Sequence, residues 1–281
     1  MTLEAYSSIR KNRHLNILLQ GLPGSGKTRF ISGFPQPCLI DFDDGDLTLQ
    51  ALGIRVPVLR PKNEDEIRAI IEDFPRIVEK VIQPMEDDST GKRHFETYEP
   101  QTIGWDTIST MQDTIIGEGP RAEVDLGYGT IDEKDATGIL SLPAERDNPQ
   151  VPAIKDYSVF NSRMRKLLLS IKQMPYHTIL ASHTAPSDQV VPMKIKGRIS
   201  PPKDGWPLMI GQLRYQVGGL ADFFLHLSKS AGIYTIETQK TGVFHCKNRA
   251  EHLFPEKIRW KDKNAFDIIN EPLQKALEEL Q

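Results

Sequence analysis

The sequence predicts an α/β protein built on a mostly parallel sheet flanked by helices, with antiparallel strands toward the C-terminus. Short apolar runs that end in polar or acidic residues recur along the first two thirds of the chain, and segments with helical spacing of apolar residues separate them. A glycine-rich loop joins the first run to the first helix. In such folds the carboxyl ends of parallel strands face one ligand crevice. We therefore expect the functional site among the residues that follow these runs.

The glycine-rich loop at residues 21–28 fits the phosphate-loop pattern of Gly, four residues, Gly, Lys and then Ser or Thr. Glycines allow successive backbone N–H groups to converge on a phosphate at a helix N-terminus. We expect Lys27 to contact the β and γ phosphates and the Thr28 hydroxyl to be a Mg²⁺ ligand. The alternative is a glycine-rich turn without a ligand. The predicted nucleotide-binding residues are Gly21, Pro23, Gly24, Ser25, Gly26, Lys27, Thr28 and Arg29.

Composition indicates an ordinary globular protein, because 26% of its 281 residues are charged and 38% are hydrophobic. The formal net charge of −3 gives no overall attraction to nucleic acid, so such a contact would need a local basic patch. Cys38 and Cys246 are too few for a disulfide framework or a zinc site. No apolar run approaches the roughly 18 residues of a membrane span, and the N-terminus lacks a signal-peptide core. We expect a cytoplasmic protein without membrane contact.

Acidic residues follow the second apolar run, which covers residues 38–40. If this run is a strand, the segment 41–45 faces the ligand crevice. Asp43 or Asp44 is then a candidate to orient and deprotonate the water that attacks the γ phosphate. The alternative is a helix N-cap or an Asx turn before Leu47.

Residues 56–59 suggest a short strand interrupted by Pro57, and residues 64–82 a scaffold helix that Pro75 should kink or divide. Asp106 ends the next expected strand, residues 102–106, and resembles the strand-terminal aspartate that holds Mg²⁺ in phosphate-loop ATPases. A helix N-cap is the alternative role for Asp106.

A long segment, residues 117–150, is rich in Gly, Asp, Glu and Pro, which is typical of a functional or disordered insertion. An amphipathic helix over 159–174 and a buried strand over 178–181 follow it. His183 comes just after this strand and is a candidate sensor of the γ phosphate. The alternative is a structural, hydrogen-bonded histidine.

The next loop, residues 185–207, has four basic side chains against two acidic ones. This local excess of positive charge suits a phosphate backbone, although a solvated loop would look the same. The predicted DNA-binding residues are Lys194, Lys196, Arg198 and Lys203.

The last third predicts β structure, with strands over 221–227, 233–236 and 243–246. The last of these strands ends in the triplet Lys247, Asn248 and Arg249. We expect a basic N-terminal arm at residues 1–13, a core at 14–250, and a docked C-terminal tail at 251–281 with a closing helix. The arm is either solvated or in contact with nucleic acid or a neighbouring subunit.

The order of these features resembles the RecA-type ATPases, and among them the short phage-encoded recombinase and single-strand annealing ATPases that keep only the core domain, akin to archaeal RadA. The resemblance covers roughly residues 14–250. It depends on the phosphate loop, the acidic pair Asp41 and Asp43, the pair Asp106 and Thr107, the strand ending at His183, and the triplet at 247–249.

The resemblance implies that Lys247 and Arg249 reach the γ phosphate bound by a neighbouring subunit, as an arginine finger does. A surface basic pair is the alternative. The sequence departs from the family in two places: Asp43 stands where a glutamate is usual, and the insertion at 117–150 has no counterpart. The shorter carboxylate concerns the rate of hydrolysis more than nucleotide binding.

Together these features predict a DNA-dependent ATPase that uses ATP and Mg²⁺, assembles head to tail into a ring or filament, and binds single-stranded DNA to promote annealing or recombination. A single-strand-binding protein is a candidate partner. One alternative is a nucleotide-dependent DNA-binding or loading module with little hydrolysis, and another is a small-molecule kinase. The kinase would need an arginine-rich lid, which residues 117–150 do not offer. The expected catalytic residues are Lys27, Asp43, Asp106, His183, Lys247 and Arg249.

Overall fold

The computed structural model describes ten stretches of the chain. They are residues 14–87, 98–115, 154–184, 194–195, 198–199, 205–209, 213–240, 244–248, 251–260 and 264–279. The predicted N-terminal arm and the insertion at 117–150 lie outside these residues. Across the described stretches, every helix is too short or too polar to cross a bilayer.

The described residues form eleven strands and eight α-helices. The strands are β1 Asn16–Gly21, β2 Pro37–Asp41, β3 Val58–Leu59, β4 Thr102–Asp106, β5 His177–His183, β6 Lys194–Ile195, β7 Arg198–Ile199, β8 Phe223–Ser230, β9 Ile233–Glu237, β10 Lys247–Asn248 and β11 Lys257–Trp260. The helices are α1 Lys27–Ser32, α2 Asp46–Ala51, α3 Glu64–Glu72, α4 Phe74–Asp87, α5 at 108–115, α6 Ile154–Gln173, α7 Leu213–Leu220 and α8 Ala265–Glu279. A 3₁₀ turn covers Glu251–Leu253.

A nine-stranded sheet runs in the order β11-β9-β8-β1-β5-β4-β2-β3, and β10 also pairs with β8. The strands from β8 to β3 in this order are parallel to one another, whereas β9, β10 and β11 pair antiparallel. Strands β6 and β7 form a separate antiparallel pair. The predicted fold class is confirmed: a mostly parallel α/β sheet with flanking helices and antiparallel strands toward the C-terminus.

The register of the parallel strands brings their carboxyl ends to one edge of the sheet. Gly21 at the end of β1 is paired with His183 at the end of β5. Asp41 at the end of β2 is paired with Asp106 at the end of β4. Four strand ends that the sequence singled out therefore share one edge, as expected for a ligand crevice.

Apolar side chains cover both faces of the sheet. Leu18 of β1 and Trp105 of β4 belong to the cluster beneath helices α3 to α7, whereas Ile17 and Leu19 belong to the cluster beneath α1, α2 and α8. Parallel strands buried on both faces have near-continuous apolar sequences. This explains why β1 is apolar throughout its middle and shows no alternation.

Gly104 interrupts the apolar run of β4 for a packing reason. A Cβ at this position would lie 2.3 Å from Cγ2 of Ile31 in α1. The glycine therefore lets the phosphate-loop helix approach the strand that ends in Asp106, and the departure from an all-aliphatic strand brings these two parts of the site together.

The scaffold helix expected over 64–82 is divided, as Pro75 predicts. Helix α3 ends at Glu72 and α4 begins at Phe74, so Pro75 occupies the first turn of α4. Its missing N–H costs little there, because the N–H groups of a first helical turn have no partner within the helix.

Two C-terminal predictions need revision. The strand predicted from residue 243 to the triplet at 247–249 is shorter among the described residues, where the ladder residues are Lys247–Asn248, which pair with Phe223 and Phe224 of β8. The segment expected as a docked tail contributes β11 to the main sheet, where it pairs with β9. Trp260 of β11 packs edge-on against Phe30 of α1, with ring centroids 5.8 Å apart. The C-terminal segment is thus part of the core.

Candidate nucleotide-binding and hydrolysis site

The phosphate loop turns sharply between β1 and α1. Gly24 and Gly26 have φ values of 75° and 98°, which side chains other than glycine rarely adopt. Lys27 begins α1, and its side chain bends back over the loop, where Nζ donates hydrogen bonds of 3.1 Å to the carbonyl oxygens of Gly21 and Leu22. The loop is therefore formed in a phosphate-binding shape, with its lysine inside it.

Lys27 is only 6% exposed. Burial lowers the pKa of Lys27, while the nearby carboxylates of Asp106 and Asp43 act in the opposite direction. A buried cation between two carboxylates is placed to accept an incoming polyphosphate, which would replace the two carbonyl oxygens as its partner.

Two further loop contacts explain glycines of the pattern. A Cβ on Gly21 would lie 2.4 Å from Oγ of Ser25 and 2.5 Å from the carbonyl oxygen of Leu227. A Cβ on Gly26 would lie 2.4 Å from the ring of Tyr234 in β9. The guanidinium of Arg29 lies 5.2 Å from the centroid of the same ring. Pro23 and Gly24 are exposed on the outer side of the loop.

Thr28 and Asp106 form the candidate metal pair. The Thr28 hydroxyl donates a hydrogen bond of 2.5 Å to Oδ2 of Asp106. Burial raises the pKa of Asp106 to about 6, although the Thr28 hydrogen bond and the charge of Lys27 oppose this. A hydroxyl and a buried carboxylate are hard oxygen ligands, and their proximity fits a Mg²⁺ ion held partly through water.

Asp41 organises the loop between β2 and α2. Its Oδ1 accepts the backbone N–H groups of Asp43 at 3.1 Å and Gly45 at 2.9 Å, and its Oδ2 accepts that of Asp46 at 3.3 Å. Asp44 has a φ of 55°, and 79% of its side chain is exposed. Asp41 is therefore a turn-forming residue, and the turn directs Asp43, and not Asp44, toward the phosphate loop.

Asp43 accepts hydrogen bonds from two neighbours at the same oxygen. Thr107 Oγ1 donates to Oδ2 at 2.9 Å, and Nε2 of His183 lies 3.0 Å from Oδ2. Burial would raise the pKa of Asp43, but the hydrogen bonds from His183, Thr110 and Thr107 outweigh it, so the pKa is lowered. These hydrogen bonds therefore favour the ionised form of Asp43, in which the carboxylate acts as a hydrogen-bond acceptor.

His183 connects this carboxylate to the phosphate loop. Its Nδ1 lies 3.4 Å from Nζ of Lys27, on the side of the ring away from Asp43. Because an ammonium can only donate, this network assigns the tautomer with hydrogen on Nε2. The backbone N–H of His183 donates to Oγ of Ser109 at 3.0 Å. His183 is thus held between the lysine and the aspartate that the sequence analysis selected independently.

The residue that follows the predicted DNA-binding loop is attached to His183. The backbone N–H of Leu208 donates to the carbonyl oxygen of His183 at 2.6 Å, and Thr184 forms a β-bridge with Pro207. Both ends of the loop 185–207 are therefore held at the end of β5, next to His183. Lys196 and Lys203 lie outside the described residues, and of Lys194 and Arg198 the structure describes only the backbone, in β6 and β7.

Lys247 lies away from the phosphate loop of its own chain. It pairs with Phe224 of β8, which in turn pairs with Leu18 of β1, three positions before Gly21. From His245 to Asn248 the chain runs antiparallel to β8 and so away from the edge where the phosphate loop lies. Arg249 lies outside the described residues.

Sequence reasoning missed three neighbours of the site: Arg60, Gly45 and Tyr234. Arg60 directly follows β3 and reaches the acidic loop after β2. Gly45 lies against the metal pair, because a Cβ there would be 2.7 Å from Oδ2 of Asp106. The position of Arg60 just after the carboxyl end of a short strand could have indicated a residue of the site. No feature of the local sequence distinguishes Tyr234 in this way.

A family model described as an AAA domain matches residues 13–250. The chain belongs to this AAA domain family. Membership of this family, together with the phosphate-loop site on a mostly parallel α/β sheet, makes the protein a phosphate-loop ATPase domain. The crystal structure of the RadB recombinase is similar over 93% of this chain and 94% of that chain, with 13% identity and a TM-score of 0.37. At this TM-score the similarity supports no conclusion about activity. No curated protein matches the sequence.

Proposed function

We propose that this AAA domain protein hydrolyses ATP, assembles head to tail into a ring or filament, and binds single-stranded DNA to promote annealing or recombination. The observation that carries the proposal is the hydrogen-bonded series from Lys27 through His183 to Asp43. It joins the lysine of the phosphate loop to an ionised carboxylate through a histidine from an intervening strand.

Hydrolysis follows from the roles available to these side chains. Lys27 exchanges the carbonyl oxygens of Gly21 and Leu22 for the β and γ phosphates. Asp43 orients and deprotonates the attacking water, while His183 holds the carboxylate in place. Thr28 and Asp106 would hold Mg²⁺, which would neutralise charge on the phosphate oxygens.

Head-to-tail assembly is supported by the position of Lys247. Since β10 lies beyond β8 and runs away from the phosphate loop of its own chain, a basic residue there is better placed to serve a neighbouring subunit. In this proposal Lys247 and Arg249 contact the γ phosphate of the nucleotide bound by the neighbouring subunit. A cation supplied in trans is worth about 10³- to 10⁵-fold in rate in other phosphoryl-transfer systems.

Binding of single-stranded DNA is supported by the loop 185–207. Its basic residues Lys194, Lys196, Arg198 and Lys203 provide local positive charge in a protein with a net charge of −3. The hydrogen bond from Leu208 to His183 gives the loop a direct connection to the hydrolysis site. DNA at the loop can therefore change the position of His183, and with it that of Asp43.

The test is ATP turnover at several protein concentrations, with and without single-stranded DNA. We expect the rate per molecule to rise with both, and Arg249→Ala to remove the dependence on protein concentration. Lys27→Ala should abolish turnover, and Lys80→Ala, an exposed lysine on α4, serves as its control. A turnover rate per molecule that depends neither on DNA nor on protein concentration would rule out the assembly mechanism.

A second function is a nucleotide-dependent DNA-binding or loading module with little hydrolysis. It is favoured by the crowding of Oδ2 of Asp43, which already accepts hydrogen bonds from Thr107 and His183. The side chain is also one methylene shorter than the glutamate usual in the RecA-type family. Tight ATP binding with negligible turnover, even on DNA, would identify this second function.

A further inference from the structure

We propose that Arg60 is the positioning residue for Asp43: it fixes the acidic loop, residues 41–46, so that Asp43 faces the phosphate loop. The inference rests on the proposed hydrolysis of ATP and adds to it a residue from a different strand. Arg60 touches neither the phosphate loop nor Asp43 in the contacts described above, so it acts through the loop.

The guanidinium of Arg60 contacts three carboxylates of the acidic loop. It lies 2.5 Å from Oδ2 of Asp46, 3.8 Å from Oδ2 of Asp41 and 3.9 Å from Oδ1 of Asp44. One oxygen from each of these carboxylates lies within 4.8 Å of the others. Like charges this close repel one another, and the repulsion is strongest where water is excluded. Arg60 supplies the positive charge that lets them stay together.

Two of the three carboxylates are buried, although the Arg60 side chain itself is 50% exposed, so this contact differs from a surface ion pair on its carboxylate side. The side chains of Asp41 and Asp46 are 0% and 9% exposed. By contrast, Arg76 and Asp73 are 73% and 52% exposed in their ion pair. Exposed pairs contribute little, whereas removing one partner of a buried pair leaves an uncompensated charge. Loss of Arg60 should therefore disturb the acidic loop.

The same carboxylates set the path of the acidic loop. Asp41 accepts the backbone N–H groups of Asp43, Gly45 and Asp46, so the turn is built around its two oxygens. Arg60 holds Asp41 and Asp46 together across this turn. The turn is therefore fixed at both ends by one guanidinium.

The acidic loop contacts both halves of the site. Asp43 reaches Thr107 and His183 on one side. Gly45 lies against Asp106 and Thr28 on the other, where an added Cβ would be 2.7 Å and 3.1 Å from their oxygens. A shift of the loop would first affect Asp43, because its hydrogen bonds depend on side-chain reach. Phosphate binding by the loop at 21–28 should be less affected.

The anchoring can be measured by amide hydrogen exchange of the full chain. In Arg60→Ala we expect exchange at residues 42–46 to be at least about tenfold faster, because the hydrogen bonds to Asp41 are no longer held. The exchange rate of Arg60→Lys should lie between those of Arg60→Ala and the natural protein, because lysine keeps the positive charge but lacks the planar guanidinium with its several donors. Arg76→Ala is the matched control and should exchange as the natural protein does. Unchanged exchange in Arg60→Ala would overturn the proposal.

The role in positioning can be measured by a double-mutant cycle on ATP turnover. Arg60→Ala should lower kcat at least about tenfold, with the affinity for a fluorescent ATP analogue changed less than about threefold. In an Asp43→Asn background it should have no further effect. An equal loss in both backgrounds would overturn the proposal, because Arg60 would then act independently of Asp43.

The two measurements separate this inference from the proposed function. If the natural protein binds ATP without turning it over, the hydrolysis proposal fails while hydrogen exchange still tests the anchor. If Arg60→Ala does not fold, Arg60→Lys and Arg60→Gln provide the same comparisons. A cycle in which both keep full kcat would also contradict the inference.

Discussion

Asp43 and His183 come from strand ends separated by β4, yet Oδ2 of one lies 3.0 Å from Nε2 of the other. The contact bridges the carboxyl end of β4, where the hydroxyl of Thr28 donates a hydrogen bond to Asp106. Two carboxylates are thus arranged around one phosphate loop: Asp43, which we propose orients the water, and Asp106, which we propose binds the metal. The proposed hydrolysis depends on this arrangement.

Replacing Asp43 should separate turnover from binding. We expect Asp43→Asn to lower kcat about 100-fold, since it removes the proton acceptor, which typically contributes 10²- to 10⁴-fold. ATP affinity should change little, because Asp43 does not contact the phosphate loop directly. Steady-state turnover and binding of a fluorescent ATP analogue measure the two effects. Asp44→Asn, at a side chain 79% exposed, is the control and should keep most of the activity. The opposite ranking would make Asp44 the functional carboxylate.

Gly45 should not tolerate a side chain. In Gly45→Ala the new Cβ would lie 2.7 Å from Oδ2 of Asp106 and 3.1 Å from Oγ1 of Thr28, so the metal pair or the acidic loop must shift. We expect a higher Mg²⁺ concentration for half-maximal ATP turnover, measured by titrating Mg²⁺ at fixed ATP. Gly219→Ala, in α7, meets no atom within 4 Å and provides the control. An unchanged Mg²⁺ requirement would show that the close approach of Gly45 to Thr28 and Asp106 does not affect Mg²⁺ binding.

His177 should make the fold less stable at acid pH. Its Nδ1 accepts a 3.1 Å hydrogen bond from the N–H of Leu15, and burial, together with His14, lowers the pKa of His177 from 6.5 to about 4. The unfolded chain takes up this proton as the pH falls below about 6.5, but the folded chain does so only near 4. Stability is therefore lost through this window.

We expect the titration of His177 to lower the free energy of unfolding by about 1 kcal/mol between pH 7.5 and pH 5. This value is smaller than the full linkage energy because the side chain is partly exposed to solvent. His177→Gln keeps an acceptor for Leu15 but does not titrate, so its free energy of unfolding should fall less over the same interval. Urea unfolding at the two pH values gives the comparison. Identical pH dependence in the two proteins would contradict the assignment.

The basic residues of the loop 185–207 should control the salt dependence of DNA binding. Alanine at Lys194, Lys196, Arg198 and Lys203 removes up to four phosphate contacts, each worth about 0.7 in the slope of log K against log salt for single strands. The slope should therefore fall by up to about 3. Anisotropy of a labelled oligonucleotide measures it. Arg165→Ala with Lys166→Ala, exposed on α6, is the control. An unchanged slope would place the DNA elsewhere.

Local sequence was sufficient to find the strand ends of the site. The phosphate-loop pattern identified Lys27 and Thr28, and polar residues after apolar runs identified Asp43, Asp106 and His183. The parallel register then brings these residues to one edge without further information. The roles of Lys247 and Arg249 remain predictions.

Contacts between distant segments could not be found in this way. Arg60 reaches the acidic loop from the neighbouring strand, and Tyr234 reaches Gly26 from a hairpin about two hundred residues later. Neither residue belongs to a pattern of adjacent positions. Only the pairing of the strands that carry them makes the contacts visible.

The short length of the strand that ends at the triplet has a similar origin. The edge of β8 opposite β1 is shared by two partners: β9 pairs with His226–Ser230, and β10 pairs with Phe223 and Phe224. Only a short part of β8 is left for β10. Phe244, predicted as a strand residue, lies before the two residues of β10 and stacks its ring on His226, with centroids 3.5 Å apart. Alternation in the sequence could not reveal that the pairing edge was already occupied.

The incorporation of β11 into the sheet makes the segment after residue 250 part of the folding unit. A protein cut after residue 250, near the end of the family match, would lose the partner of β9 and leave that strand as a bare edge, open to pairing with other molecules. It would also lose the indole of Trp260 from beneath the helix that carries Lys27. Truncation at the family boundary should therefore yield aggregates, even though every residue of the nucleotide site is retained.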